Sequence, residues 1–414
     1  MNSILLNKWI SFLVFLFGVS VLSLPGHGGQ SVIMLILTMF YVALSKHKDH
    51  NDYSLNNEEK FFFYSALVWF GWQFFSVLYQ PLGYEFKDIE TQLRALDNMS
   101  RWLLLLPVFF ISRRYLINWK LLSLGIGIGV LITVSVAHYE VYFLNIIRAE
   151  GMSNQVIPFG ELMVVSDLLL FIFTVFTWKK DYKILSYCLL FASTVAFYGS
   201  LLSATRGAWL VYVLIVLAWL LYAIKNIVSY KIPRFYGLIL LKLLIGVIIF
   251  ISLSQTYQFK VLESRTQSTL DNLSSGDYQN ASSNRLIIFN DAINHIKKKP
   301  FGIGTGNFTK IDPNGYPYNA HNQLLNIWVE NGIQGVISIF LLVGYLFIFF
   351  LKNLSHSNEL INFYALSGLT LIASYVVFSQ TQTVFDHHQV LLFFIFYLYF
   401  FFAQIQLLKR LKTS

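Results

Sequence analysis

Long apolar runs, separated by short polar breaks, recur from one end of the chain to the other. Twelve of them are candidates for crossing a membrane: about 9–24, 31–45, 60–80, 96–112, 121–143, 159–177, 183–203, 207–224, 235–255, 333–351, 361–380 and 388–406. Runs of roughly 18 apolar residues match what the hydrocarbon layer of a bilayer requires. The runs are continuous, not alternating, and this predicts helices, because only helices and closed barrels satisfy their backbone in lipid. The second and fourth runs are the weakest. One polar stretch, 256–332, far outlasts the other breaks and separates the ninth run from the tenth. The expected fold is therefore an all-α polytopic membrane protein of about twelve transmembrane helices. Residues 1–255 supply helices 1–9, 256–332 form a loop with amphipathic helices, and 333–414 supply helices 10–12 and a tail.

Composition supports lipid as the solvent. The chain is 56% hydrophobic and 12% charged, about half the charged fraction of a soluble protein. A net charge of +9 would suggest a nucleic-acid partner in a soluble chain. Here the positions of the cations explain it instead, and no nucleic acid is expected. Lys8, Lys352 and the clusters Lys46/Lys48/Lys60, Arg113/Arg114/Lys120, Lys179/Lys180/Lys183, Lys225/Lys231/Arg234 and Lys409/Arg410/Lys412 fall on alternate sides of the runs that share one face. The short loops of the opposite face hold only Lys87, Arg94, Arg101, Arg148 and Arg206. Seventeen cations against five place the first set inside, since short cytoplasmic loops retain Lys and Arg. Both termini are then cytoplasmic and the 256–332 loop lies outside. The first run follows Lys8 and ends at Pro25-Gly26-His27-Gly28 without a small-x-small cleavage site, so it reads as a retained span. The single Cys188 excludes an intramolecular disulfide.

Several polar segments on the outer side carry candidate chemistry. Ser203-Ala204-Thr205-Arg206-Gly207-Ala208-Trp209 joins the seventh and eighth runs. An arginine there either snorkels as an anchor or serves a ligand, and Gly207 permits a close approach. In the long loop, apolar positions 286, 289, 293 and 296 share one helical face after Arg285, and Pro300 ends the run. This is an amphipathic helix lying on the membrane or on the spans. Its terminal lysines suit the helix dipole, whereas Arg285 at its start does not. Phe301–Phe308, rich in glycine, lacks the preceding strand of a nucleotide loop and reads as a tight turn with exposed backbone N–H groups. His321-Asn322 precedes a short helix leading into the tenth run, where the helix dipole disfavours an imidazolium and leaves a neutral base. Asp386, with His387 and His388, sits between the last two runs and can orient His321 or pair with an arginine. By ligand type the same set with His321 also competes as a metal site. Within the sixth run, Glu161 and Asp167 can line a cavity or bond helix to helix.

Arg206, Arg285, His321 and Asp386 come from segments far apart in sequence, and the charge pattern puts all four on one side. Two guanidiniums suit a pyrophosphate, whose oxygens they bind bidentately without losing charge. Outside the cell there is no ATP, so the energy must arrive in the substrate.

At these residues the chain resembles the O-antigen ligase family, part of a superfamily with O-antigen polymerases. The matching pieces are Ser203–Trp209, Arg285 with its helix, Pro300–Phe308, and His321-Asn322 through Glu330-Asn331-Gly332-Ile333 to Gly335. The resemblance implies a Gram-negative inner-membrane enzyme that moves a glycan from undecaprenyl pyrophosphate to the lipid A-core oligosaccharide on the periplasmic side. It implies an inverting transfer without metal, nucleotide or other cofactor, among membrane lipids. Carried over, Arg206 and Arg285 hold the pyrophosphate and His321 is the general base, with Asp386 and Asn322 as supporting candidates; Glu161 joins them only as a carboxylate within a span. The pattern does not separate ligase from polymerase. A twelve-span transporter is the reading from a different class. It requires two related halves around a central inside loop, and the long break here follows the ninth run and faces out.

Overall fold

The computed structural model describes residues 3–24, 28–44, 54–78, 89–214, 233–254, 256–281, 285–308 and 319–413. Pro25–His27, most of the eighth run, and Lys46, Lys48, Lys87, Lys225 and Lys231 of the charge pattern lie outside the described residues. The first part of the chain forms α1 (Ser3–Ser23), α2 (Gly28–Leu44), α3 (Asn57–Leu78), α4 (Ile89–Leu104), α5 (Leu106–Ser112), α6 (Trp119–Tyr142), α7 (Val156–Lys179) and α8 (Lys183–Ser203). Then come α9, described over 206–214, α10 (Pro233–Ser254), α11 (Tyr257–Ser274), α12 (Tyr278–Ala281) and α13 (Arg285–Lys298). The chain closes with α14 (Gln323–Ile339), α15 (Tyr345–Asn353), α16 (Glu359–Phe378) and α17 (His388–Thr413).

Among the described residues, nine helices are long and apolar enough to cross a membrane, with Gln323–Asn353 counted as one through its π turn. The other three expected spans differ for identifiable reasons. The second is the shorter apolar helix α2. The fourth is broken at Leu105 into α4 and α5. Pro107, in the first turn of α5, has no N–H and its ring crowds the carbonyl four residues back, so the helix cannot run through. The eighth is described only to residue 214. The tenth begins at Gln323, ten residues earlier than expected, because the short leading helix and the span are one element kinked at Gly332.

The last helix is the pillar of the bundle. From Val390 to Gln406 every residue of α17 is buried, as expected of a helix apolar all round. Its aromatic rings fill the centre: Phe396 stacks on Phe17 with centroids 3.6 Å apart, and Tyr399 meets Phe62 edge-on at 4.9 Å. In lipid the hydrophobic effect does little to join helices, so close backbone contact matters more. At the α1–α6 seam Gly125 and Gly129 supply it. A Cβ on Gly125 would lie 2.5 Å from the Phe15 carbonyl oxygen, and one on Gly129 would lie 2.7 Å from that of Gly18.

Two charged clusters tie the bundle together. In mid-span, Lys242 of α10 pairs with Asp167 of α7, and Ser193 of α8 donates to the same carboxylate oxygen at 2.5 Å. Leu243, Leu244, Val247, Ile248 and Ile251 of α10 face outward, so this link is its main polar hold on the bundle. Asp167 thus bonds helix to helix.

The second cluster lies at the bundle end where α3 starts and α17 finishes. Arg113 donates from Nε and Nη2 to the two oxygens of Glu59, each at 2.8 Å, and both side chains are fully buried. Arg410 also pairs with Glu59, and Lys409 reaches Glu58 at 3.3 Å. Removing one partner of such a pair leaves a buried charge without compensation. Glu59→Ala is expected to destabilise the protein by about 3–5 kcal/mol, read as a lowered unfolding midpoint in detergent. A Glu59→Ala midpoint equal to that of the parent would show that the cluster is not structural.

Candidate functional site

The opposite end of the bundle, where α3 finishes and α17 starts, gathers four segments. The first is the turn between α8 and α9. Ala204 closes α8 in the left-handed region (φ 49°). Arg148, from the segment before α7, donates its Nε to the Ser203 carbonyl at 3.0 Å, and Thr205 donates its hydroxyl to the Val156 carbonyl at 3.2 Å. Arg206 follows, exposed, with Nη1 donating to Thr269 of α11 at 3.3 Å. The close approach at Gly207 is made by another part of the site: a Cβ there would lie 2.8 Å from Thr381 Oγ1. An apolar groove lined by Leu202, Ala204, Trp209, Phe250, Leu253 and Phe259 opens beside this turn.

The second segment is α13, which begins at Arg285. Its buried face differs from the one expected. Ile288 and Ala292, with Ile296 beside them, pack against Ile303, Phe308, Ala320 and Val329, whereas Leu286, Ile287 and Ile293 are exposed. Both faces of α13 are apolar, so periodicity alone did not reveal which one the protein claims. The Arg285 guanidinium is partly desolvated and lies close enough to Arg206 for the two to repel, and in that order these effects lower its pKa.

The glycine-rich turn does not expose its N–H groups. Gly332 breaks α14 (φ 68°, ψ −172°), which leaves carbonyls without helical partners. Ile303 N–H donates to the Val329 carbonyl at 3.0 Å and Gly304 N–H to that of Glu330 at 2.9 Å. Trp72 Nε1 donates to the Asn331 carbonyl at 2.7 Å. Gly302 and Gly332 touch backbone to backbone, since a Cβ on Gly302 would lie 2.6 Å from the Gly332 nitrogen. The turn is a clamp on the kinked helix that carries His321, and it offers no phosphate cradle.

The third segment is the start of α14. Asn322 is its N-cap and accepts from Leu325 N–H at 3.0 Å. His321 stands one residue earlier in the left-handed region (φ 44°). Its Nδ1 is bonded to Gln382 Oε1 at 3.1 Å. Desolvation is the main cause that lowers the imidazole pKa below the ordinary range; the Gln382 hydrogen bond opposes it, and Arg285 adds to it. Desolvation and Arg285 thus favour the neutral imidazole.

The fourth segment, 379–387, brings Gln382. Gln323 N–H donates to the Ser379 carbonyl, and its Oε1 accepts from Phe385 N–H, both at 2.8 Å, so the loop is stitched to the first turn of α14. Gln382 Nε2 lies 2.9 Å from His387 Nε2. The ring partner of His321 is thus this amide. Asp386 is exposed, and its backbone carbonyl accepts from Asn98 Nδ2 at 2.9 Å. Glu161 is buried in the first turns of α7, next to Gly160, which packs on Ser203 and Thr205; its Oε2 has no hydrogen-bond partner among the described residues. Also among the described residues, no three His, Cys, Asp or Glu side chains gather as metal ligands, so the competing set His321, Asp386, His387 and His388 is not assembled.

The arrangement thus joins two guanidiniums and one neutral imidazole, from the α8–α9 turn, α13 and the head of α14. Arg148 and Gln382 are the residues that sequence reasoning missed. Arg148 had counted only as a loop charge, and an amide gives no titratable signal.

A family model described as O-Antigen ligase matches residues 188–340, from α8 through α14. That span contains Arg206, Arg285 and His321 and ends before the 379–387 loop. An uncharacterized protein of Haemophilus influenzae is 24% identical over 407 residues, covering 93% of this chain and 95% of its own length.

Proposed function

We propose, on the premise that this chain is a member of the O-antigen ligase family, that it transfers a glycan from undecaprenyl pyrophosphate to the lipid A-core oligosaccharide at the periplasmic face of the inner membrane. Members of this family are glycosyltransferase-like enzymes of lipopolysaccharide synthesis. The observation that carries the reading is that Arg285 lies close enough to both Arg206 and His321 to act on each electrostatically. Two adjacent guanidiniums repel each other unless something anionic sits between them, and a pyrophosphate is a fitting anion.

In this mechanism His321 Nε2 takes the proton of an acceptor-sugar hydroxyl. That oxygen attacks the anomeric carbon while the bond from this carbon to the phosphate oxygen breaks. The pyrophosphate leaves on its lipid with its charge taken by Arg206 and Arg285. A single displacement of this kind inverts the anomeric centre. The arginines already supply the positive charge that a metal would bring, so the reaction as read needs no metal. The apolar groove beside Arg206 suits the polyprenyl chain. The exposed Leu286, Ile287 and Ile293 of α13 suit burial in the membrane interface, which would hold Arg285 at headgroup level. Both termini are read as cytoplasmic, from the charge pattern.

The test is the lipopolysaccharide made by a strain lacking this gene. Loss of all long glycan chains, restored by the gene on a plasmid, is the expected result. A core that still carries a single repeat would point to the polymerase of the same superfamily. An unchanged lipopolysaccharide would remove both.

A further inference from the structure

The amide of Gln382 stands between two imidazoles. Its Oε1 is 3.1 Å from His321 Nδ1, and its Nε2 is 2.9 Å from His387 Nε2. Gln382 is buried, and the loop that bears it is bonded on both sides to Gln323 of α14. Within the reading above, we propose that Gln382 is a positioning residue for the base: its amide, bonded on the far side to His387, holds the Nδ1–H tautomer of His321.

Donor and acceptor roles set where the protons sit. An amide oxygen only accepts, so the His321 nitrogen facing it must carry the proton, which leaves Nε2 with a lone pair. The NH2 group only donates, so His387 must present an unprotonated Nε2 and carry its own proton on Nδ1. A charged His387 would set N–H against N–H. Desolvation prevents this by lowering the His387 pKa to about 4. With the rings in these tautomers, reversing the amide would break both bonds at once, so the three groups hold their protons as a set.

An amide also suits this electrostatic setting better than a carboxylate. The charged neighbour acting on His321 is Arg285, itself beside Arg206; Gln382 is neutral and so is His387. A carboxylate at 382 would compete with the leaving group for the guanidiniums and would hold a proton on His321. The amide orients the ring without doing either.

The experiment uses the purified full chain in detergent with an undecaprenyl-pyrophosphate glycan donor and a lipid A-core acceptor. Gln382→Leu is expected to lower kcat about 10- to 100-fold, as losing an orienting partner does, with KM for the donor changed less than about twofold. Nitrogen NMR of the His321 ring should show Nδ1–H in the parent and a tautomer mixture in Gln382→Leu. Gln382→Glu, nearly isosteric, is expected to move the acidic limb of the kcat/KM profile to higher pH by about one unit or more. That shift is independent of expression level, and it decides the matter should the leucine variant fail to fold. His387→Ala should lose less than Gln382→Leu and shift no limb. Unchanged kcat in Gln382→Leu, or an unmoved limb in Gln382→Glu, overturns the proposal. His321→Ala, run alongside, separates the two readings. Full activity there removes the base assignment itself, whereas an inactive His321→Ala with a fully active Gln382→Leu removes only the role of Gln382.

Discussion

His321→Ala is expected to lower glycan transfer by about 100- to 10,000-fold, the range of a general base, while binding of the lipid-linked donor persists. His321 sits one residue before the N-cap of α14, with Nδ1 engaged by Gln382, and the proposed mechanism uses Nε2 as the proton acceptor. In the proposed mechanism donor binding falls to Arg206 and Arg285, which the substitution does not touch. The pH dependence has a definite sign. A base works only when unprotonated, so the rate falls as pH drops through its pKa. Desolvation, aided by Arg285 and opposed by Gln382, lowers that pKa, so the acidic limb should lie below the ordinary histidine range of about 6.5. Because the position has a positive φ, His321→Asn is the better-tolerated companion variant. Single-turnover rates and donor-binding isotherms for both variants check the expectation. A variant that keeps a third or more of the parent rate would show that the imidazole is not the base.

Much of this was legible in the sequence because lipid imposes strong rules. Continuous apolar runs must be helices, and nine described helices have the length and character to cross. Arg206, Arg285 and His321 were legible because charged or titratable groups at a membrane edge need a reason to be there. What escaped were features that depend on three-dimensional neighbours. The kink at Gly332 and the clamp made by Gly302–Gly304 are backbone-on-backbone contacts, and glycines in a polar loop looked like a free turn. The buried face of α13 was misread because Leu286, Ile287, Ile288, Phe289 and Ile293 leave little polar contrast around the helix. Pro107 did carry a signal for the break at Leu105, one that hydropathy averaged away. Lys242, the one cation of the ninth run, needed an anion, and Asp167 was one of the two carboxylates of the sixth run, so charge alone narrowed the pairing. Gln382 had no such mark, since only its two histidine neighbours give it meaning.

Arg206→Lys is expected to cost about 100- to 1,000-fold in kcat/KM, as losing one preorganised donor to a developing anion does, with membrane abundance unchanged. Lysine keeps the charge and loses the planar fork that grips two phosphate oxygens at once. Whether a chain can adjust to a shorter reach depends on how firmly its backbone is held. Around Arg206 it is held from several directions: by the left-handed cap at Ala204, by Arg148 on the Ser203 carbonyl, by Thr205 on Val156, and by Thr381 against Gly207. The backbone cannot move to bring an ammonium to where the fork stood. Arg285 contrasts with it, as the first residue of a helix packed through Ile288, Ala292 and Ile296. A cation is disfavoured at that helix start, which makes sense only if an anion offsets the cost, and the exposed Leu286, Ile287 and Ile293 leave α13 held on one face only. Arg285→Lys should therefore be milder than Arg206→Lys, and Arg285→Ala should be severe. Transfer assays at matched protein levels check the order. Near-full activity in Arg206→Lys would reduce Arg206 to a point charge at the membrane edge and would remove the fork from the mechanism.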